Sequence, residues 1–346
     1  MNTNKIHNIF YVLLAFFFLG SCKSNSQNDI DTSKINVAVS FKPFYLDFST
    51  LDTNNFSAGI LKLKDKYPQF LDFYLDTLLP FGAIKGQYSD AKIMAPIRNI
   101  LIYKDYVALT DTVIKVFPDT KKQDEKILEV LKRTKYYLPQ VVLPREVVYM
   151  ESMLNNWTAF IHNKTLGIGL DMFLGPDFRP YETFSIPKFA LINHTPECVP
   201  LWAAKALYMD AFPQEPASRK SLLEIMIENG KEMLFLEKVL DPEFKQNLIF
   251  AYTPEQMKWV DANEALIFNL LIQQQLLYSK DVQSIMRYVT PGPNSAGFPA
   301  EAPGNIGTFI GYKILKAFET QTHKPLKEIL TITDANQIFQ QSKYKP

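Results

Sequence analysis

Apolar and polar positions fall first into blocks and only later into periods. Lys5 and His7 precede an unbroken apolar run from Ile9 to Leu19, closed by Leu19-Gly20-Ser21-Cys22. Eleven apolar residues behind a charged start are too short to span a bilayer stably, and small residues before a cysteine suit a signal-peptidase cleft. Residues 1–21 are therefore expected to be a signal peptide, with Cys22 the lipid attachment site. The next block, Lys23 to Ser33, is polar and aperiodic, so residues 22–34 read as a lipidated start and a flexible tether.

Periodicity begins at Ile35. Alternation over 35–48 predicts a strand, and helical spacing follows over 56–79 with a break at Pro68. Residues 89–117 are again helical with an interruption at Pro96. Residues 121–135 form an amphipathic helix with Ile127, Leu128 and Leu131 on one stripe. The texture changes at Glu146–Met150, which is strand-like. Two more strand-like segments, 157–161 and 165–170, flank His162-Asn163-Lys164 and predict an antiparallel hairpin.

Beyond Pro187 the pattern is helical over 200–212, 221–240, 254–278, 304–321 and 334–343. Ser221 with Glu224 is a capping box, and Thr253 with Pro254 and Gln256 is a cap with proline at the first helical position. No repeat and no linker divides the chain. The expected class is α+β and mainly helical: a small antiparallel sheet packed with a helical body in one globular domain, 35–346.

Composition narrows the function. Of 346 residues, 47% are hydrophobic and 13% aromatic, ample for a large core. Lys and Arg number 37 against 36 Asp and Glu, with no basic block, so no nucleic-acid partner is expected. With Cys22 taken by lipid, Cys198 has no intramolecular partner and reads as a buried free thiol.

Tests for catalysis fail one by one. No His-Glu-x-x-His pair occurs, so the usual zinc helix is missing. His194, Glu197 and Cys198 are ligand types close together, but Pro196 and Pro200 bracket them and favour a surface loop or helix start. His162 sits at the proposed hairpin turn and is expected in solvent. No Gly-x-Ser-x-Gly elbow is present, and Gly167-Ile-Gly169 lacks the third glycine of a dinucleotide loop. No cofactor or metal is expected.

Two features rise above background. Gly304, Gly307 and Gly311 form one smooth stripe if helical, fit for close helix packing or for a groove floor. Asn229 falls in the apolar stripe of Leu222, Met226, Met233 and Leu236, where a buried amide must find partners. The aromatics Tyr136, Tyr137, Tyr181, Trp202 and Trp259 read as core, with carbohydrate platforms the minority alternative.

Several stretches together carry a resemblance. They include Lys64-Asp-Lys-Tyr67-Pro68, Leu170-Asp-Met-Phe-Leu174-Gly175-Pro-Asp177 with Tyr181, and Glu228-Asn-Gly230-Lys231. Tyr252-Thr-Pro-Glu-Gln256 and Pro303-Gly304-Asn-Ile-Gly307-Thr-Phe-Ile-Gly311 continue the series. In order and spacing they resemble the gliding-motility lipoprotein GldB family of Bacteroidota, over about Lys62 to Glu319. The chain departs from that family's pattern at Ala302 and Asn305, where a Ser and an Arg are usual.

That family is similar in turn to predicted zinc peptidases. The helix 200–212 here carries neither His nor Glu, and Asn229 stands where a third, carboxylate ligand would be. The resemblance thus implies a zinc-peptidase-like scaffold lacking its metal site, a pseudo-peptidase with a remnant groove. Asn229, Glu232, Glu301 and Gly304 are its candidate groove residues.

The implied function is a non-catalytic lipoprotein anchored by palmitate-type chains on Cys22. It would support gliding motility, type IX protein secretion or cell-envelope assembly, with the lipid bilayer and envelope or secretion-machinery proteins as partners. Lys23, rather than Asp, after the cysteine points to the outer membrane over the inner. The alternatives are a peptide- or glycan-binding lipoprotein using the groove, and a metallopeptidase with ligands such as His194 and Glu197.

Overall fold

The computed structural model describes residues 30–79, 84 and 86–346. The expected signal peptide, the expected lipid-attachment residue Cys22 and most of the expected tether lie outside the described residues. Thr32–Pro346 forms one compact unit, mainly helical and built on a four-stranded sheet in the order β1-β2-β4-β3. The strands are β1 (Ser40–Lys42), β2 (Glu146–Met150), β3 (Ala159–His162) and β4 (Thr165–Gly169).

The sheet is mixed rather than antiparallel. Only β3 and β4 run antiparallel, while β4 pairs parallel with β2 and β2 parallel with β1. The hairpin is the one expected, closed by Asn163 and Lys164 with φ of 47° and 63°, the two-residue turn that matches strand twist. Because the hairpin doubles back, β4 slots between β2 and β3 and follows the direction of β2. The pairing of β1 with β2 spans a long helical excursion, which returns the chain to the same end of the sheet and so makes the pair parallel.

The strand expected over 35–48 shrinks to three residues. Pro43 cannot donate to a ladder, and Phe44, Tyr45 and Phe48 instead form the buried face of helix α1 (Phe44–Ser49). Helices α2 (Phe56–Lys66), α3 (Ala91–Ile100), α4 (Lys104–Val116) and α5 (Lys121–Tyr137) follow. Pro96 sits inside α3, and the break falls after Leu101 instead.

Beyond the sheet come α6 (Val199–Ala211), α7 (Leu222–Val239), α8 (Pro254–Ala262) and α9 (Glu264–Gln273). The single helix read over 254–278 is thus two. It divides at Asn263, whose amide donates back to the Trp259 carbonyl at 2.8 Å and competes with helix continuation. The last helices are α10 (Val282–Val289), α11 (Ile306–Thr322), α12 (Leu326–Thr331) and α13 (Ala335–Ser342). The expected capping box of α7 is formed, with Ser221 and Glu224 bonded reciprocally.

Strand β2 divides the core by its period of two. Val148 and Met150 face one cluster, where Phe44, Phe48, Phe70 and Tyr74 pack ring on ring at 4.7–6.0 Å. Val147 and Tyr149 face the larger cluster, which holds α5, α6, α7 and α11. Covered on both faces, β2 and β4 are buried throughout apart from half-buried Glu146, which explains their near-continuous apolar text. In β4, Gly167 leaves room for the Phe160 ring; a Cβ there would lie 2.2 Å from Phe160 Cζ.

A cleft with one charge and a closed imidazole

Helix α6 brings Trp202, Lys205 and Met209 to one side at spacings of three and four. They line a cleft of about 730 Å³, within the usual range for ligand sites. Met233 of α7 shares that lining. Facing walls come from Trp157, Thr158 and Ala159 at the entry to β3, from Phe184 to Pro187, and from Phe250 and Tyr252. Pro291-Gly292 and Pro303-Gly304-Asn305 close the end. The Tyr252 hydroxyl lies 3.1 Å from the carbonyls of both Gly304 and Asn305, fixing that end of the wall.

Among the described residues, Lys205 is the only charged side chain in the lining. Its ammonium lies 5.0 Å from the centroid of the Trp202 ring, and the Glu232 carboxylate is 3.8 Å away. Trp202 is held in turn, its indole N–H donating to the Asn193 carbonyl at 3.1 Å, while the Asn193 amide donates to the Leu248 carbonyl at 3.3 Å.

His194 also lines the cleft yet is only 3% exposed. Its ring stacks near Phe173 at 6.2 Å and meets Trp202 edge-on at 5.2 Å. Neither ring nitrogen has a hydrogen-bond partner. Burial, and then the positive charge of Lys205, push its pKa down to about 4; the nearby Ala190 carbonyl opposes the shift without making a hydrogen bond. The imidazole is therefore neutral at pH 7, one donor and one acceptor shut in an aromatic cage.

That arrangement costs roughly 1–3 kcal/mol for each unpartnered polar atom. Replacing His194 with Phe fills the cage without polar atoms, so its unfolding midpoint should match or exceed the native one. A drop of several degrees in a thermal melt would show instead that the nitrogens are partnered in solution.

The wall 152–158 rests on two buried carboxyls, Glu151 and Asp171, at the carboxyl ends of the parallel strands β2 and β4. Asp171 accepts from the Ser152 and Leu154 backbone N–H groups, both at 2.7 Å, and from the Ser152 hydroxyl at 2.9 Å. Those bonds hold a turn in which Met153, Leu154 and Asn156 all have positive φ, between 56° and 62°. Strain of this kind persists only where surrounding contacts over-determine it. Glu151 accepts from Thr110 at 2.9 Å through one oxygen, and its other oxygen is buried without a partner. Burial first, and the charge of Asp171 second, push the Glu151 pKa up to about 8.

The expected groove residues are scattered around this cleft. Gly304 lines it; it precedes α11 and packs on Gly292, so the glycine stripe of that helix reduces to Gly307 and Gly311. Asn229 stands behind the lining, its amide donating to the Thr308 hydroxyl at 3.0 Å and so bridging α7 to α11. Glu232 reaches the cleft through Lys205. Glu301 is exposed and outside the lining.

His194 is buried rather than in a surface loop. Glu197 is exposed and 3.8 Å from Lys245, and no group of three or more His, Cys, Asp or Glu residues able to hold a metal occurs among the described residues. The Cys198 thiol is buried and its pKa is raised to about 11, chiefly by that burial. His162, expected in solvent, is half-buried and stacks on Phe73 at 3.9 Å. Sequence reasoning read Trp202 as core and passed over Met209. Their signal was the 202, 205, 209 spacing, which puts two large apolar groups beside a lysine; Met209 is 67% exposed.

No helix among the described residues is long and apolar enough to cross a membrane. A family model described as gliding motility protein GldB matches residues 25–346. No curated protein and no solved structure matches the chain.

Proposed function

The chain belongs to the GldB family of gliding motility proteins, and on that footing we propose that it is a lipid-anchored cell-envelope protein whose folded body binds rather than catalyses. It supports gliding motility or the linked type IX secretion and envelope assembly, held to the outer membrane through Cys22. The observation that carries this reading is the make-up of the cleft. Its lining holds one ammonium group, one enclosed neutral imidazole and a majority of apolar and aromatic side chains. Such a surface positions a ligand; it places no carboxylate or activated nucleophile against one.

The test is genetic and chemical together. A clean deletion should lose spreading on agar, and the native gene should restore it. A Cys22→Ser variant should lose that activity while its purified body melts like the native protein, because only the anchor is gone and stable attachment rests on the acyl chains. Full complementation by Cys22→Ser would end the anchoring claim. A deletion that spreads and secretes normally would end the motility claim. Metal analysis of the purified protein finding about one equivalent of bound zinc or iron would favour a hydrolase instead.

A second reading follows from the aromatic lining beside Lys205: a lipoprotein that captures a peptide or glycan in the cleft. It is compatible with the first, since a captured segment can belong to an envelope partner.

A further inference from the structure

The start of β3 borders the cleft through Ala159. The Gly169 N–H donates to the Thr158 carbonyl at 3.0 Å, and the register pairs Phe160 with Gly167 and His162 with Thr165. In an antiparallel pair the hydrogen-bonded positions alternate, so Ala159 and Ile161 turn their N–H and C=O groups away from β4. Strand β3 ends the sheet, and among the described residues no other strand pairs with it. Both residues are half-exposed, and Ala159 itself lines the cleft. An edge of this kind is a template for another extended chain.

Charge selects among extended chains. Lys205 is the one ionised group of the lining, and Glu232 at 3.8 Å is too far to satisfy it with a hydrogen bond. A carboxylate entering the cleft would meet an ammonium already held over Trp202 in apolar surroundings, where ion pairing is stronger than in water. The aromatic and aliphatic lining takes apolar side chains. A sugar could stack on the rings but has no use for a strand edge.

We propose that the cleft is a receptor for an extended peptide segment carrying a carboxylate: the segment pairs with the outer edge of β3, sinks an apolar side chain among the aromatic rings, and sets its acidic group against Lys205. This rests on the binding reading of the cleft and names its ligand class. Main-chain pairing supplies affinity, and the alternate side chains supply specificity.

The test uses the full lipidated chain in detergent and a phage-displayed library of random decapeptides. Selection should enrich one sequence family that alternates apolar residues with an Asp or Glu. Ala159→Pro removes the outward N–H of an edge strand while leaving the β3–β4 ladder bonds in place. It should weaken the enriched synthetic peptide at least about tenfold, the loss of one well-made contact. Lys205→Met should weaken it by about as much. Changing the peptide's acidic residue to its amide should cost about tenfold against the native protein and nothing against Lys205→Met.

Thermal melts report whether each variant folds; if Ala159→Pro does not, the Lys205 cycle carries the test alone. Failure to enrich any family, native-strength binding by either folded variant, or capture of an oligosaccharide with no peptide enrichment would each overturn the proposal. None of these results touches the spreading assay or the Cys22→Ser variant, so the anchored, non-catalytic role stands or falls separately.

Discussion

Gly311→Ala is expected to destabilise the protein by about 3 kcal/mol or more, through overpacking against backbone. Helices α7 and α11 cross with their backbones in contact. A Cβ on Gly311 would lie 1.8 Å from the Met226 carbonyl oxygen and 2.4 Å from its carbon. On the other helix, a Cβ on Gly230 would lie 2.5 Å from the Gly311 carbonyl carbon. Helix propensity argues the other way, since Ala is favoured over Gly by about 1 kcal/mol in a helix interior. The clash wins because the obstructing atoms are main chain, which cannot rotate aside, so the whole crossing must open.

At roughly 2–4 °C per kcal/mol, the midpoint in a thermal melt should fall by about 6–12 °C. Gly59→Ala is the control. Its Cβ meets only the tip of Leu51, a flexible side chain, at 3.0 Å, so propensity decides and the midpoint should hold or rise by up to about 2–4 °C. Equal melts for both variants would show that the α7 and α11 backbones are not in contact at Gly311.

Glu151→Gln is expected to flatten the dependence of stability on pH. The native carboxyl keeps its proton to about pH 8, against an ordinary value of 4.5 in the unfolded chain. Between those values the folded state binds more protons than the unfolded one, so stability falls as pH rises. The contribution is fully present below pH 4.5 and is lost by pH 8, a change on the order of 4 kcal/mol for this group. Gln stays neutral throughout and can still accept from Thr110. Urea midpoints from pH 5 to 8.5 should therefore converge at the acid end, with the variant more stable above pH 8. Parallel curves for the two proteins would mean that Glu151 is ionised in the fold at neutral pH.

How much was legible in the sequence depends on the range of the forces involved. The amphipathic helix at 121–135, the capping box at Ser221 and the hairpin at Asn163-Lys164 are local, and each formed where its residues implied. The division at Asn263 was hidden because its cause is one side chain bonding its own helix, inside a run that keeps its apolar spacing. Strand direction was hidden for a different reason. Parallel pairing of β1 with β2 is decided by where a helical layer returns the chain, and no local pattern records that.

The site shows the same limit. Gly304 and Asn229 were singled out as unusual residues in unusual places, and one lines the cleft while the other braces it from behind. His194 was read as a surface loop or helix start because Pro196 and Pro200 follow it; the helix start is there, but the rings of Phe173 and Trp202, one of them many positions distant, bury the imidazole. Trp202 looked like core because a tryptophan at helical spacing does not reveal that the other side of its ring is open.

The long-range pairing also fixes when the structure can first exist. Among the described residues, strand β1 has only β2 as a neighbour, and the aromatic cluster around Phe44 and Tyr74 is sealed by Val148 and Met150. Closing a loop of roughly 100 residues costs about 4 kcal/mol of chain entropy before any contact is gained. Helices α1 to α5 can therefore flicker into shape as they emerge, but their shared core has no lid until residue 150 has arrived. A chain emerging residue by residue therefore stays pliable over roughly its first two-fifths, and locks only once that stretch is complete.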